Sequence, residues 1–228
     1  MKVPFSIYDF FGYLAAGFVC LASIDFAFSG GWLLDADPKL IPGIVLVFIA
    51  YVIGHAVAHV AWSFIEERFV RDVLTSPEET MFADSITSRW ARVFPGFYKP
   101  LPPETKEAVL ESAAEAGITK PGRGLFYHCQ SIALRDEATR ERLGTFQNLY
   151  GFARNLVVAG LFSAFVLIVG AFRGIIENPR VIHWDALLWC AASLGLAIIM
   201  LYRYLKFFRH FTSEVFRSYA ATCTKRNS

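Results

Sequence analysis

Apolar residues run along this chain in four long blocks, and the longest block has almost no polar interruption. From Ile41 to Ile65 there are 25 residues with no formally charged side chain, apart from whatever charge His55 and His59 carry. As an α-helix with a rise of roughly 1.5 Å per residue, a block of this length extends about 37 Å. The hydrocarbon core of a bilayer is about 30 Å thick. The block therefore predicts a tilted membrane-spanning helix.

Three further apolar blocks have the same character, and a more polar segment separates the first pair of blocks from the second. The sequence therefore predicts an all-α polytopic membrane protein with four transmembrane helices, arranged two plus two, and a helical insertion between the second and the third. The division that we infer is 1–65 for the first two helices, 66–153 for the insertion, 154–204 for the last two helices and 205–228 for a basic amphipathic tail.

Helix signals within the insertion predict its internal structure. Ser76 followed by Pro77 and Glu79 is typical of a helix start, and we expect that helix to continue to just before Phe94. A second helix follows the proline-rich connection and is expected to stop at Gly117. From about residue 136 a long helix is expected to run without a break into the third membrane helix.

Composition agrees with this interpretation. Hydrophobic residues make up 55% of the chain and charged residues 18%, with a mean hydropathy of +0.41, which is unusual for a soluble domain. The first apolar block is longer than the 7 to 15 residues usual in a signal peptide, so we expect it to be retained as a helix.

The basic residues that flank the apolar blocks predict the orientation. Two of the three connections carry only Lys39, Arg173 and Arg180, whereas the opposite side carries Lys2, Arg68, Arg71, Arg140, Arg142, Arg154, Arg203, Lys206 and Arg209. Because Lys and Arg accumulate on the cytoplasmic side, we expect a multi-pass protein of the bacterial inner membrane with both termini and the insertion in the cytoplasm.

Small residues recur every fourth position in the first two apolar blocks. Gly12 and Ala16 share one helix face, and Ala50, Gly54 and Ala58 share another. Small side chains at this spacing let membrane helices approach each other closely. We therefore predict that both faces pack against other helices.

Three ionisable residues lie within the apolar blocks. Asp25, His55 and His59 are costly in lipid, so we predict that they face the interior of a helix bundle or a pore. Asp25, or the pair Asp35 and Asp37 in the first connection, would then set a preference for cations at the outer mouth.

The two histidines also have the i, i+4 spacing of a metal site. The residues between them are Ala56, Val57 and Ala58, so the glutamate of an HExxH motif is missing. No further ligand is evident at that depth. We predict no metal, no cofactor and no catalytic residue, although an intramembrane metalloprotein that uses His55 and His59 remains an alternative.

Basic residues of the insertion are the candidates for binding an anionic ligand. Arg89, Arg92, Lys120 and Arg123 are interleaved with aromatic residues that are able to stack on a base. A solvated charged face is the competing interpretation, because acidic residues lie nearby.

Three short motifs carry a resemblance to a known family. These are YDFFGYLAAG at 8–17, YVIGHAVAH at 51–59 and NLYGFARNL at 148–156. The chain resembles small bacterial four-helix membrane proteins of anti-phage defence systems, in particular the Hailong-type channel subunit. This resemblance implies a homo-oligomeric channel in the bilayer that responds to a nucleotide or oligonucleotide ligand.

The sequence thus favours an oligomeric pore, without enzymatic activity, that is gated by a ligand or a protein partner at its cytoplasmic insertion. A non-conducting membrane scaffold that anchors a cytoplasmic partner is the alternative.

Overall fold

The structure is a computed structural model that describes residues 7–28, 40–84, 88–177 and 184–227. The described residues are almost entirely helical, as predicted. The α-helices are α1 (Ile7–Phe28), α2 (Leu40–Ala61), α3 (Pro77–Thr80), α4 (Pro103–Glu115), α5 (Arg123–Ala133), α6 (Glu137–Glu177) and α7 (Trp184–Asn227), with a π-helix at Trp62–Leu74 and a 3₁₀ turn at Arg89–Arg92. Asp35 and Asp37, which we considered as an outer-mouth pair, lie outside the described residues.

The chain divides into two compact units. The first unit comprises Met1–Ile65 and Gly151–Arg203, and the second comprises Glu66–Tyr150 and Tyr204–Ser228. The chain passes from one unit to the other three times. These passages fall within the π-helix, within α6 and within α7.

Four helices are long and apolar enough to cross a membrane, which confirms the predicted number for the described residues. In the first unit, Ala16 and Cys20 of α1 pack with Val57 of α2 and with Leu156 and Ala159 of α6. The most apolar stretch of α6 is 61% buried, against 22% for the stretch that includes α2. The third spanning helix is therefore the most enclosed of the four.

Close backbone approach holds α1 against α2. A Cβ atom added to Gly54 would collide with the backbone of Tyr13, and one added to Gly17 would collide with the backbone of Ala50. Only a residue without a side chain permits this distance between two helix axes.

The α6 helix approaches its neighbours in the same way. A Cβ on Gly160 would lie 2.9 Å from the carbonyl oxygen of Ser193 in α7, and a Cβ on Gly170 would lie 2.7 Å from the Cβ of Ala27 in α1. The hydroxyl of Ser163 also donates a hydrogen bond to the carbonyl of Val19, at 3.2 Å.

The end of α7 forms much of the core of the second unit, so 205–228 is not a separate tail as the sequence analysis had it. Phe216 packs edge-to-face against Phe82 and Phe126, with ring centroids 4.9 and 5.9 Å apart, and Phe211 lies 6.1 Å from Phe126. Phe208, Phe211, Phe216 and Tyr219 of this helix end are buried.

The π-helix begins directly after α2, so the residues that follow the second apolar block are helical but not α-helical. Arg71 pairs there with Glu66 and Glu67, at 3.5 and 3.1 Å. Thr75 follows in the left-handed region, with φ of 68°. For a β-branched residue this conformation is a genuine outlier.

The helix that starts after Ser76 is much shorter than predicted and ends at Thr80. The amide of Leu101 donates a hydrogen bond to the carbonyl of Met81, at 3.0 Å. The segment around Leu101 therefore occupies a carbonyl that a longer helix would use for its own hydrogen bonding. Tyr98 fixes the same region, because its buried hydroxyl donates to the carbonyl of Leu74 at 2.7 Å.

An ion pair holds the neighbouring helix α4, and a glycine follows its end. An exposed ion pair joins Lys106 to Asp84, and the Lys106 ammonium holds the pKa of that carboxyl below its usual value. Gly117 follows the end of α4 with φ of +78°, at the position where the sequence indicated a stop.

Candidate functional site

Asp25 lies in the last turn of α1 and only 4% of it is exposed. Nearby on the same helix, Ser23 donates to the carbonyl of Cys20 at 2.7 Å, and Ala27 packs against Gly170 of α6. The carboxyl is therefore enclosed by the first unit of a single chain.

His55 and His59 lie on the exposed side of α2 in the single chain. The ring of His55 stacks on Tyr13, with centroids 4.1 Å apart, and meets Tyr51 edge-to-face at 4.6 Å. The ring of His59 lies 6.4 Å from that of Trp62. The two imidazoles are not in the interior of the one-chain bundle. Whether they face the interior of an oligomer stays a prediction.

The small residues of the sequence analysis lie on packed faces. Ala50 and Gly54 face α1, Ala16 and Ala58 are buried, and a Cβ on Gly12 would lie 3.6 Å from Phe152. Sequence reasoning missed three close contacts, which are made by glycines outside the two repeats that it singled out. These glycines are Gly17, Gly160 and Gly170.

The four basic candidates of the insertion are all exposed. The guanidinium of Arg89 lies 5.5 Å from the ring centroid of Trp90, while Arg123 pairs with Glu67 at 3.4 Å. Arg92 ends the 3₁₀ turn, and Lys120 precedes α5. The structure gives Arg89 and Arg123 protein contacts, and none of the four lines the two clefts of the second unit.

Two adjoining clefts in the second unit were not predicted. The first has a volume of about 580 Å³ and the second about 480 Å³. Both border Asp136 and Thr222. The first is also lined by Thr139, Arg142, Glu214, Arg217, Ser218 and Ala221, and the second by Ser112, Glu115, Ala116, His128, Ile132, Arg135, Tyr219 and Cys223.

In the described part of the chain, some of the arginines that line these clefts are paired with a carboxylate and others are not. Arg142 pairs with Glu214 at 3.0 Å, and Asp136 caps α6 by accepting the amide of Thr139 at 2.9 Å. Among the described residues, no carboxylate lies within 4 Å of Arg135 or of Arg217. These two guanidinium groups are therefore available to an anion.

A polar group and two thiols adjoin the second cleft. The hydroxyl of Tyr219 lies 3.4 Å from Nε2 of His128, on the neighbouring helix α5. Burial raises the pKa of the Cys129 thiol to about 12, and the nearby Cys223 adds to the effect. The described residues contain no group of three or more His, Cys, Asp or Glu side chains that could hold a metal ion.

No protein-family model, curated protein or solved structure matches this chain.

Proposed function

We propose that this chain is one subunit of an oligomeric membrane pore that opens or closes when a ligand or a protein partner binds its second unit. The basic residues flanking the apolar helices favour a cytoplasmic position for the second unit and for both termini, in a bacterial inner membrane. A role in anti-phage defence rests on the resemblance of three short motifs.

The buried carboxyl of Asp25 is the observation that carries the proposal. It is 4% exposed within the first unit, where the other buried polar residues, Ser23, Asn155 and Ser163, carry no charge. Ionisable residues in membrane helices are expensive and mark ion or proton pathways. An anchoring scaffold has no use for a carboxylate at such a position, whereas a cation pathway does.

The test of conduction compares Asp25→Asn with the parent chain in liposomes. We expect the purified parent chain to carry a cation-selective flux. Asn keeps the size of the side chain and removes its charge, so the reversal potential under a salt gradient should shift toward zero. Asp185→Asn is the matched control, because that carboxylate is exposed at the start of α7. It should leave selectivity unchanged.

Absence of flux from the parent chain, under all ligand conditions, would contradict the pore and favour the scaffold. A stoichiometric metal that His55→Ala removes would instead favour the metalloprotein. Equal shifts for Asp25→Asn and Asp185→Asn would show that surface charge, and not the buried carboxyl, sets selectivity.

The two clefts support an anionic ligand of small-molecule size. Their volumes fall within the range of ligand pockets, roughly 300–1,000 Å³. Arg135 and Arg217 provide charge, and Ser218, Thr222 and Tyr219 line the clefts with hydroxyl groups. A nucleotide, or one end of an oligonucleotide, has phosphates that suit this combination.

Mass spectrometry of the material that heat releases from the purified protein tests this ligand class. We expect phosphate-bearing compounds from the parent chain and a severalfold loss from Arg135→Gln/Arg217→Gln. The matched variant is Arg89→Gln/Arg92→Gln, which removes the same charge on the 3₁₀ turn. Loss only in the matched variant would move the ligand to the basic residues singled out in the sequence.

A further inference from the structure

Four residues form an exposed stripe on α2. Val52, His55, Ala56 and His59 are spaced by three, one and three positions, so they share one side of the helix, and all four are exposed in the single chain. We call this stripe the histidine face. It carries no carboxylate and no Lys or Arg.

The nitrogen atoms of the histidine face have no hydrogen-bond partners in the part of the chain that the structure describes. Within the described residues, neither His55 nor His59 makes a hydrogen bond. His55 is nevertheless held in place, because its ring stacks on Tyr13 and meets Tyr51 edge-to-face. Both imidazoles thus present a donor and an acceptor away from their own chain.

This arrangement is unfavourable against lipid. In a bilayer no water reaches the hydrocarbon region, so unpartnered polar groups there are costly. Histidines in membrane helices accordingly face protein or a water-filled cavity. The single chain supplies neither to the histidine face, and something else must cover it.

We propose that a second copy of this chain covers the histidine face, with imidazoles hydrogen-bonded across the contact. This inference rests on the proposed oligomeric membrane protein and identifies the helix face that joins its subunits. An imidazole carries both a donor and an acceptor, so it can complement the same residue of a symmetry-related copy. The absence of charge on the face gives no counter-charge for a different protein to recognise.

Ala56 makes close approach feasible at this contact. It lies on the histidine face between the two imidazoles and is exposed, whereas Gly54, Ala50 and Ala58 are already used against other parts of the same chain. Small residues at a helix contact bring backbones near enough for side-chain hydrogen bonds across it.

Cysteine crosslinking in native membranes tests the contact. The background is the Cys223→Ser chain, since the other three cysteines are buried. In Val52→Cys, two facing thiols would form a disulfide under copper–phenanthroline and oxygen, with the two electrons and two protons passing to oxygen. Ile198→Cys is the matched control, because Ile198 is an exposed aliphatic residue of α7 with 58% exposure against 52% for Val52.

We expect a product of twice the chain mass from Val52→Cys and little from Ile198→Cys. Adding His55→Leu and His59→Leu to Val52→Cys should reduce the yield about tenfold, the effect of losing about 1.4 kcal/mol of association. The proposal is overturned if Val52→Cys gives no dimer, if both cysteine variants crosslink equally, or if the product contains a different protein. Unchanged crosslinking with both leucines present would also overturn it, since the imidazoles would then not join the subunits.

The flux measurement separates this proposal from the pore. Crosslinked dimers from a chain without flux would retain the contact and reject the pore. Flux from a parent chain whose Val52→Cys variant does not crosslink would retain the pore and reject the contact.

Discussion

Gly54 is a glycine that the fold requires, and Gly195 is one that it does not. A Cβ on Gly54 would enter the backbone of Tyr13, whereas nothing lies within 4 Å of a Cβ on Gly195 in α7. We expect Gly54→Ala to destabilise the protein by about 1–3 kcal/mol through overpacking. Gly195→Ala should be neutral or slightly stabilising, because alanine favours the helix. Thermal unfolding in detergent would check both, and equal effects would contradict the close approach of α1 and α2.

The two thiols near the second cleft should differ in reactivity. Cys129 is buried and its pKa is raised to about 12, while Cys223 is partly exposed. Because the thiolate is the nucleophile, Cys129 stays protonated and unreactive at neutral pH. We expect maleimide to modify Cys223 alone in the folded chain and Cys129 only after denaturation. Peptide mass spectrometry would show this, and modification of both at similar rates would be inconsistent with the packing of α5.

The segment after the π-helix depends on one buried hydroxyl. Tyr98 is 1% exposed, donates to the carbonyl of Leu74 and accepts from Ser88 at 3.2 Å. Tyr98→Phe leaves a buried carbonyl unsatisfied and should cost about 1–3 kcal/mol of stability. Tyr127→Phe is the control, because Tyr127 is 55% exposed. A thermal midpoint that falls equally in both variants, or in neither, would argue against this role for Tyr98.

The number of membrane-spanning helices could be predicted from the sequence, because a helix that crosses a bilayer needs a minimum length of apolar residues and four blocks reach that length. The type of each helix and the residues at which it begins and ends were harder to predict. The start at Ser76 and the stop at Gly117 depend on neighbouring residues and were recognised. The early end of α3 depends on Leu101, which is distant in sequence, and no local pattern indicates a π-helix at 62–74.

The candidate sites divide in the same way. Asp25, His55 and His59 were identified because any ionisable residue in an apolar block is conspicuous. The surroundings of these residues could not be predicted, because the burial of Asp25 and the exposure of His55 depend on which helices pack together. The two clefts combine residues from α4, α5, α6 and the end of α7. These residues are far apart in the sequence, and no local spacing predicts that they come together.

The three passages of the chain between its two units have a consequence for how the protein can be cut or recombined. Each passage lies inside a helix, at 65–66, 150–151 and 203–204. Cutting there would leave helix ends whose last backbone groups lack partners. The segment 66–150 taken alone would also lack Phe211 and Phe216, which pack in the core of the second unit. Neither unit can therefore be transplanted as one continuous cassette, and a genetic crossover that exchanged one of them would have to replace two separate stretches of the gene at once.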